Sequence, residues 1–172
     1  MICEFFWVVS HKYIYSIETR IPMVRKYEKS SGWVVYRKRN GKTEILLLKW
    51  LNSRKQEEYV IPKGKIEDGE VAKDTAVREI SEEAGVPMED LEIIKFVTKL
   101  NYTYTAGYLK WNPLIDKDVY IFIIRYHGTQ DPIVRKEERF TGYEWVDIEK
   151  IKDIPIRFDL SGIIYRNKPY FI

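Results

Sequence analysis

Between Glu70 and Ala84 the chain places Ala76, Val77, Ile80 and Ala84 at a spacing that an α-helix gathers onto one side. Gly85 follows as a C-terminal stop, and Pro87 lies two residues beyond it. A helix with such a stripe has to bury it, which fixes what the rest of the chain must pack against. Glu79, Glu82 and Glu83 stand beside the stripe, and at i, i+3 and i+4 they share one face. Like charges so placed cost about 0.2–0.5 kcal/mol per pair on an exposed helix and more when partly buried. Their position at the edge of the packed face calls for a compensating charge, and a divalent cation reverses the sign of the interaction. Hard carboxylate oxygens suit Mg²⁺ or Mn²⁺, and Mg²⁺ is commonly shared with substrate phosphates. This is the donor set of a metal-assisted phosphoryl-transfer site. The bland alternative is a solvated acidic face, because glutamate is a common helix former.

The rest of the chain reads mostly as strands. Asn40-Gly41 joins WVVYRK to EILLLKW as a hairpin. NSRKQEE is a polar loop and EYVIP a short strand ending at Pro62. After the helix come LEIIKFVTKLNYTY, AGYLKW, DVYIFIIRYH and YEWVDI as strands, then IEKIKDI as a short helix ended by Pro155. Before the hairpin, EFFWVV and KYIYSI are apolar-rich pieces, Phe5–Val9 reads as a strand, and Lys29 to Gly32 looks like a turn cluster. The tail IRFDLSGIIYRNKPYFI fits no single element. Strands outnumber helices and several are joined by hairpins. This predicts a mixed α+β or α/β architecture, a mixed sheet packed between helices, and argues against a doubly wound parallel sheet.

Length and charge narrow the functional classes. A chain of 172 residues suits one domain with its own core. The formal net charge of +3 is too small to argue by itself for nucleic-acid or membrane binding. Cys3 is the sole cysteine, so an intrachain disulfide and a cysteine-based zinc site are both excluded. The short apolar run near the N-terminus lacks a basic leader and is too short for a membrane span, so a cytoplasmic protein is expected.

The stretch Gly64–Val86 reads GKIEDGEVAKDTAVREISEEAGV. It resembles the signature of the Nudix hydrolases, G-x5-E-x7-R-E-U-x-E-E-x-G-U with U a bulky aliphatic residue. Gly64, Glu70, Arg78-Glu79, Glu82-Glu83 and Gly85 occupy the fixed positions, with Ile80 and Val86 at the two U positions. At average residue usage, seven fixed matches arise by chance on the order of once in a million.

The resemblance implies a mixed sheet sandwiched between helices, with the signature as loop-helix-loop. It also implies hydrolysis of a nucleoside diphosphate linked to another group by water attack on phosphorus. In that pattern Glu79, Glu82 and Glu83 match metal-binding glutamates, and the Gly64 carbonyl is a further metal ligand. Glu79 is a candidate general base and Arg78 orients a glutamate of the cluster. Glu70, at the helix start, is structural. Lys63 faces either a phosphate or solvent. Glu137 or Glu138, ahead of the last strand, matches an additional metal-binding glutamate.

Outside the signature, Ile61-Pro62-Lys63-Gly64 is similar to the entry sequence of diadenosine and diphosphoinositol polyphosphate hydrolases. Tyr102-Thr103-Tyr104 and the Lys117-led strand are similar to the diadenosine tetraphosphate branch. There the lysine faces phosphates and an aromatic ring stacks on adenine, which makes Lys117 and Tyr102 or Tyr104 substrate-binding candidates. Residues 32–152 carry the likeness within a single domain 1–172, and residues 1–31 are an extension of unassigned role. The expected substrate is a dinucleoside polyphosphate such as diadenosine tetraphosphate, turned over with Mg²⁺ or Mn²⁺ by a monomer or homodimer. ADP-ribose, nucleoside triphosphates, diphosphoinositol polyphosphates and RNA 5′ ends are the alternatives. For RNA, Arg37, Lys38, Arg39, Lys42, Arg54 and Lys55 around the hairpin are the contacts to consider. A binding-only module would be expected to lack signature glutamates, and this chain keeps them all.

Overall fold

The structure is a computed structural model that describes residues 9–10, 13–15, 22–134 and 140–171. By the density of internal contacts the chain separates into two compact units, residues 1–29 with 100–118 and residues 30–99 with 119–172. The described strands are β1 (Val9–Ser10), β2 (Tyr13–Tyr15), β3 (Pro22–Arg39), β4 (Lys42–Leu51), β5 (Glu57–Val60), β6 (Lys63–Lys65), β7 (Leu91–Thr105), β8 (Leu114–Tyr126) and β9 (Phe140–Asp147). The helices are α1 (Ala72–Ala84) and α2 (Leu160–Arg166). The architecture is α+β, as expected.

In the second unit, β4 is the centre of the sheet. β9 pairs along one of its edges from Glu44↔Asp147 to Trp50↔Phe140, while the ends of β3 and β5 divide the other. Ile45, Leu46, Leu47 and Leu48 are all fully buried, an unbroken apolar run that only a strand covered on both faces tolerates. The β3–β4 hairpin closes through Asn40 (φ 51°) and Gly41 (φ 74°), the two left-handed residues that a type I′ turn requires. Ala76, Ile80 and Ala84 of α1 pack against Trp33, Val35, Leu46, Leu48 and Phe122. Val77, the fourth stripe residue, is only partly buried.

Three sequence expectations are corrected. Lys29 to Gly32 is no turn but the middle of the 18-residue strand β3. Its small residues are there because β6 lies against them, with Ser30↔Lys65, Ser31↔Gly64 and Gly32↔Lys63 in register. AGYLKW is no strand but the β7–β8 connection, closed by Ala106 N–H donating to Pro113 O at 2.9 Å and carrying Trp111 and Asn112 at positive φ. IEKIKDI contributes only a 3₁₀ turn, Ile151–Asp153, and the α-helical residues fall in the unassigned tail as α2. The run Phe5–Val8 lies outside the described residues. Among the described residues, no helix is long and apolar enough to cross a membrane.

Gly85 ends α1 in the left-handed region at φ 64°, with its N–H on Ser81 O at 3.0 Å. It also lets the 127–134 segment dock. Ile133 N–H donates to Ala84 O at 2.8 Å, and a methyl group at Gly85 would lie 2.7 Å from Ile133 O. Gly85→Ala is therefore expected to destabilise the fold by about 2 kcal/mol, from left-handed strain plus the clash. Urea unfolding checks this, and a loss under about 0.5 kcal/mol would contradict the packing argument.

Candidate active site

Glu70 anchors the loop before α1. Its Oε2 accepts from Glu67 N–H and from the buried Thr75 hydroxyl, both at 3.0 Å. Its two oxygens also take Arg78, through Nε at 2.7 Å and Nη2 at 3.0 Å, as a bidentate fork. Arg78 then reaches in two further directions. Nη2 donates to Lys65 O at 3.2 Å, and Nη1 donates to Glu79 Oε1 at 2.8 Å and Glu82 Oε2 at 3.0 Å. The Arg78 bonds, followed by that from Glu67 N–H, hold the Glu70 carboxyl at a pKa of about 2, below the usual 4.5. Arg78 is pushed up in turn, chiefly by Glu70.

The signature glutamates diverge from there. Glu79 lies over β6, so close that a Cβ on Gly64 would fall 1.7 Å from Glu79 Cδ. Only glycine permits that approach. Glu83 is buried at 5% exposure, with Oε2 accepting from Lys63 N–H at 3.1 Å. Glu82 is the exposed member, its side chain 43% accessible. Arg78, Glu79, Glu82, Glu83, Gly64 and Lys63 are thus one constellation built from α1 and β6.

Tyr102, Tyr104 and Lys117 belong to the first unit, where Lys117 and Tyr104 reach Glu28 and Tyr102 lies beside Tyr104. Lys117 Nζ lies 3.5 Å from Glu28, Tyr104 donates to Glu28 at 3.5 Å, and the rings of Tyr102 and Tyr104 are 6.1 Å apart. Burial, the Tyr108 hydroxyl at 3.2 Å and the Glu28 charge raise the Tyr104 pKa above its ordinary value. Glu137 and Glu138 lie outside the described residues. Arg37 is not a cation of the hairpin surface. It is buried with Nε on Glu44 at 2.7 Å and its guanidinium 4.1 Å from the Trp145 ring centroid.

One feature escaped the sequence reading. A cavity of about 220 Å³ opens beside Glu83 and Lys63. Its walls are Trp50, Val60, Ile61 and Phe140 on the sheet side and Arg157, Phe158 and Leu160 on the other. Arg157 and Phe158 come from the tail, where no periodicity marks them. Trp50, at the end of an apolar strand, reads as core.

Among the described residues, no three acidic, histidine or cysteine side chains are gathered tightly enough to hold a metal ion. In this arrangement Arg78 supplies the positive charge between Glu79 and Glu82. The chemistry of the donors nevertheless fits a hard divalent cation: three carboxylates within two turns of helix, two of them lying against β6.

An α+β chain with a guanidinium-clamped glutamate helix set against a glycine strand is the class that fold and site define. The chain belongs to the Nudix family, for a model of the NUDIX domain matches residues 28–166. A curated relative, the asymmetrical bis(5′-nucleosyl)-tetraphosphatase of Caenorhabditis elegans, is 42% identical over 65 residues. That match spans 38% of this chain and 46% of the relative. The RNA pyrophosphohydrolase of Ruthia magnifica subsp. Calyptogena magnifica is 29% identical over 147 residues, 75% of this chain and 80% of the relative. Among solved structures, a C. elegans Ap4A hydrolase binary complex superposes with a TM-score of 0.64 at 24% identity, covering 83% of this chain and 96% of that one. That likeness shows the fold.

Because the folded Glu70 pKa is depressed, its contribution to stability is fully present above about pH 4.5 and is lost as pH falls through about 2. Glu70→Gln should flatten the pH dependence of stability across that window and lower stability at neutral pH. Denaturant titrations between pH 2 and 7 test this, and a variant with the wild-type slope would refute the Arg78–Glu70 linkage.

Proposed function

We propose that the chain is a divalent-metal-dependent pyrophosphohydrolase that cleaves a nucleoside diphosphate linked to a second group. Its substrate is a dinucleoside polyphosphate such as diadenosine tetraphosphate. The observation that carries the reading is the Glu79 carboxylate, largely sequestered against Gly64 and held by Arg78 Nη1. A carboxylate so fixed cannot swing away and is set to accept a proton. Glu79, Glu82, Glu83 and the Gly64 carbonyl are the groups that would hold Mg²⁺ or Mn²⁺. The bound cation supplies neutralisation of phosphate charge and a more acidic water.

The chain's own residues then have defined tasks. Glu79 takes the proton from the attacking water as the new O–P bond forms and the bridging P–O bond breaks. Arg78 keeps that carboxylate oriented, and Glu83, by holding Lys63 N–H, fixes where the Lys63 side chain emerges beside the phosphates. Lys117 and Tyr102 or Tyr104 are the further candidates for substrate binding. The short, 42%-identical match to a tetraphosphatase supports this substrate class.

A second reading, removal of pyrophosphate from RNA 5′ ends, is favoured by the longer match to an RNA pyrophosphohydrolase. Diadenosine tetraphosphate and a 5′-triphosphorylated oligonucleotide, each with Mg²⁺, separate the two. ATP and AMP are expected from the dinucleotide, with turnover abolished by chelation. Glu79→Gln should lower kcat by about 10²–10⁴-fold while leaving the melting temperature near wild type. No turnover above the variant for either substrate would sink the hydrolase reading, and turnover of the oligonucleotide alone would select the second.

A further inference from the structure

The cavity at Glu83 contains a cation to which phosphoanhydride hydrolysis assigns no task. The Arg157 guanidinium carbon lies 5.2 Å from the ring centroid of Trp50 and 5.1 Å from that of Phe158. Arg157 has no hydrogen bond or ion pair among the described residues. Phe158 is held at φ 66° and ψ 27°, a conformation that a bulky L-residue adopts only at an energetic cost. The residue stays 47% exposed, so core packing does not offset that cost. A strained aromatic ring, a second ring from β4 and a planar cation that, among the described residues, touches only those two rings are features of a binding surface.

The cavity's size and chemistry define the ligand. Its volume of about 220 Å³ falls below the ~300–1,000 Å³ of pockets that take a drug-sized molecule, so it holds a ring system and not a whole nucleotide. Trp50, Phe140 and Phe158 suit a flat aromatic face. Arg157 offers donors only. Guanine presents O6 and N7 as adjacent acceptors that match two guanidinium N–H groups, whereas adenine pairs its N7 with an amino donor that opposes them.

We propose that Trp50, Arg157 and Phe158 form a base-reading subsite that takes a 6-oxopurine such as guanine in preference to adenine. That the ligand is a nucleotide rests on the pyrophosphohydrolase reading. The choice between bases rests on the cavity alone.

Calorimetric titration of the full chain with GMP and with AMP, in Mg²⁺, measures the preference directly. GMP is expected to bind about 10-fold more tightly. Arg157→Lys keeps the charge but loses the planar fork, and should erase the difference while retaining binding. Trp50→Ala should weaken both nucleotides, with thermal melts confirming that each variant is folded. Equal or tighter binding of AMP, a preference that survives in Arg157→Lys, or no binding of either nucleotide would overturn the proposal. Binding due only to a phosphate held by Arg157 would show as equal GMP and AMP affinity. The kcat/KM ratio for diguanosine over diadenosine tetraphosphate should follow the binding ratio. If neither dinucleotide is hydrolysed while GMP binds in an Arg157-dependent way, the hydrolase reading fails and the subsite stands. Hydrolysis of both at equal kcat/KM fails the subsite and leaves the hydrolase reading intact.

Discussion

The Arg78 guanidinium uses all five of its N–H groups, and the acidic helix depends on that saturation. Two go to Glu70, one to the Lys65 carbonyl, and Nη1 divides the last two between Glu79 and Glu82. The loop before the helix, strand β6 and two signature glutamates are thereby tied to one rigid planar group. A lysine in that place would offer a point charge with three donors and no fixed plane. The depressed Glu70 pKa is the thermodynamic trace of the same clamp. Because one guanidinium serves three signature carboxylates, Glu70, Glu79 and Glu82, that cluster keeps an excess of negative charge, and this is the electrostatic condition under which a divalent ion would be drawn to it.

The opposite wall of the site is set by what β6 lacks. This strand has only three residues, Lys63, Gly64 and Lys65, and runs antiparallel to Ser30–Gly32 of β3. The missing side chain at Gly64 admits Glu79, and the Lys63 N–H accommodates Glu83. Small residues in β3 allow β6 to lie there at all. Thus the stretch that reads as a turn in sequence, Lys29 to Gly32, is the support on which the proposed chemistry rests.

Local signals were readable and non-local ones were not. The apolar stripe of α1, its Gly85 stop and the Asn40-Gly41 turn are each set by residues within a few positions, so periodicity and turn chemistry were enough. Arg78 as an orienting residue was legible too, through the signature, although its reach to Lys65 O was not. The 106–113 connection imitates a strand in composition, and only its two positive-φ residues mark it as a turn. Trp50 and Arg157 lie 107 positions apart in the sequence, and no pattern in either segment announces that a cavity joins them. Lys117 and Tyr104 both reach Glu28, a residue with no sequence signal of its own, and Tyr102 lies beside Tyr104.

The division of labour between elements bears on selectivity. The residues proposed for bond cleavage sit on α1 and β6, held by backbone pairing and the Arg78 clamp. Those proposed to read the base sit on the end of β4 and on the Arg157–Leu160 tail, which reaches the sheet through the Tyr59↔Ile156 bridge. Only Glu83 and Lys63 belong to both. A change at Trp50 or Arg157 therefore alters what fits in the cavity without moving Glu79, whose place is fixed by Gly64 and Arg78. A chain built this way can retain one hydrolytic centre while its choice of leaving nucleotide is set by a few residues far away in sequence.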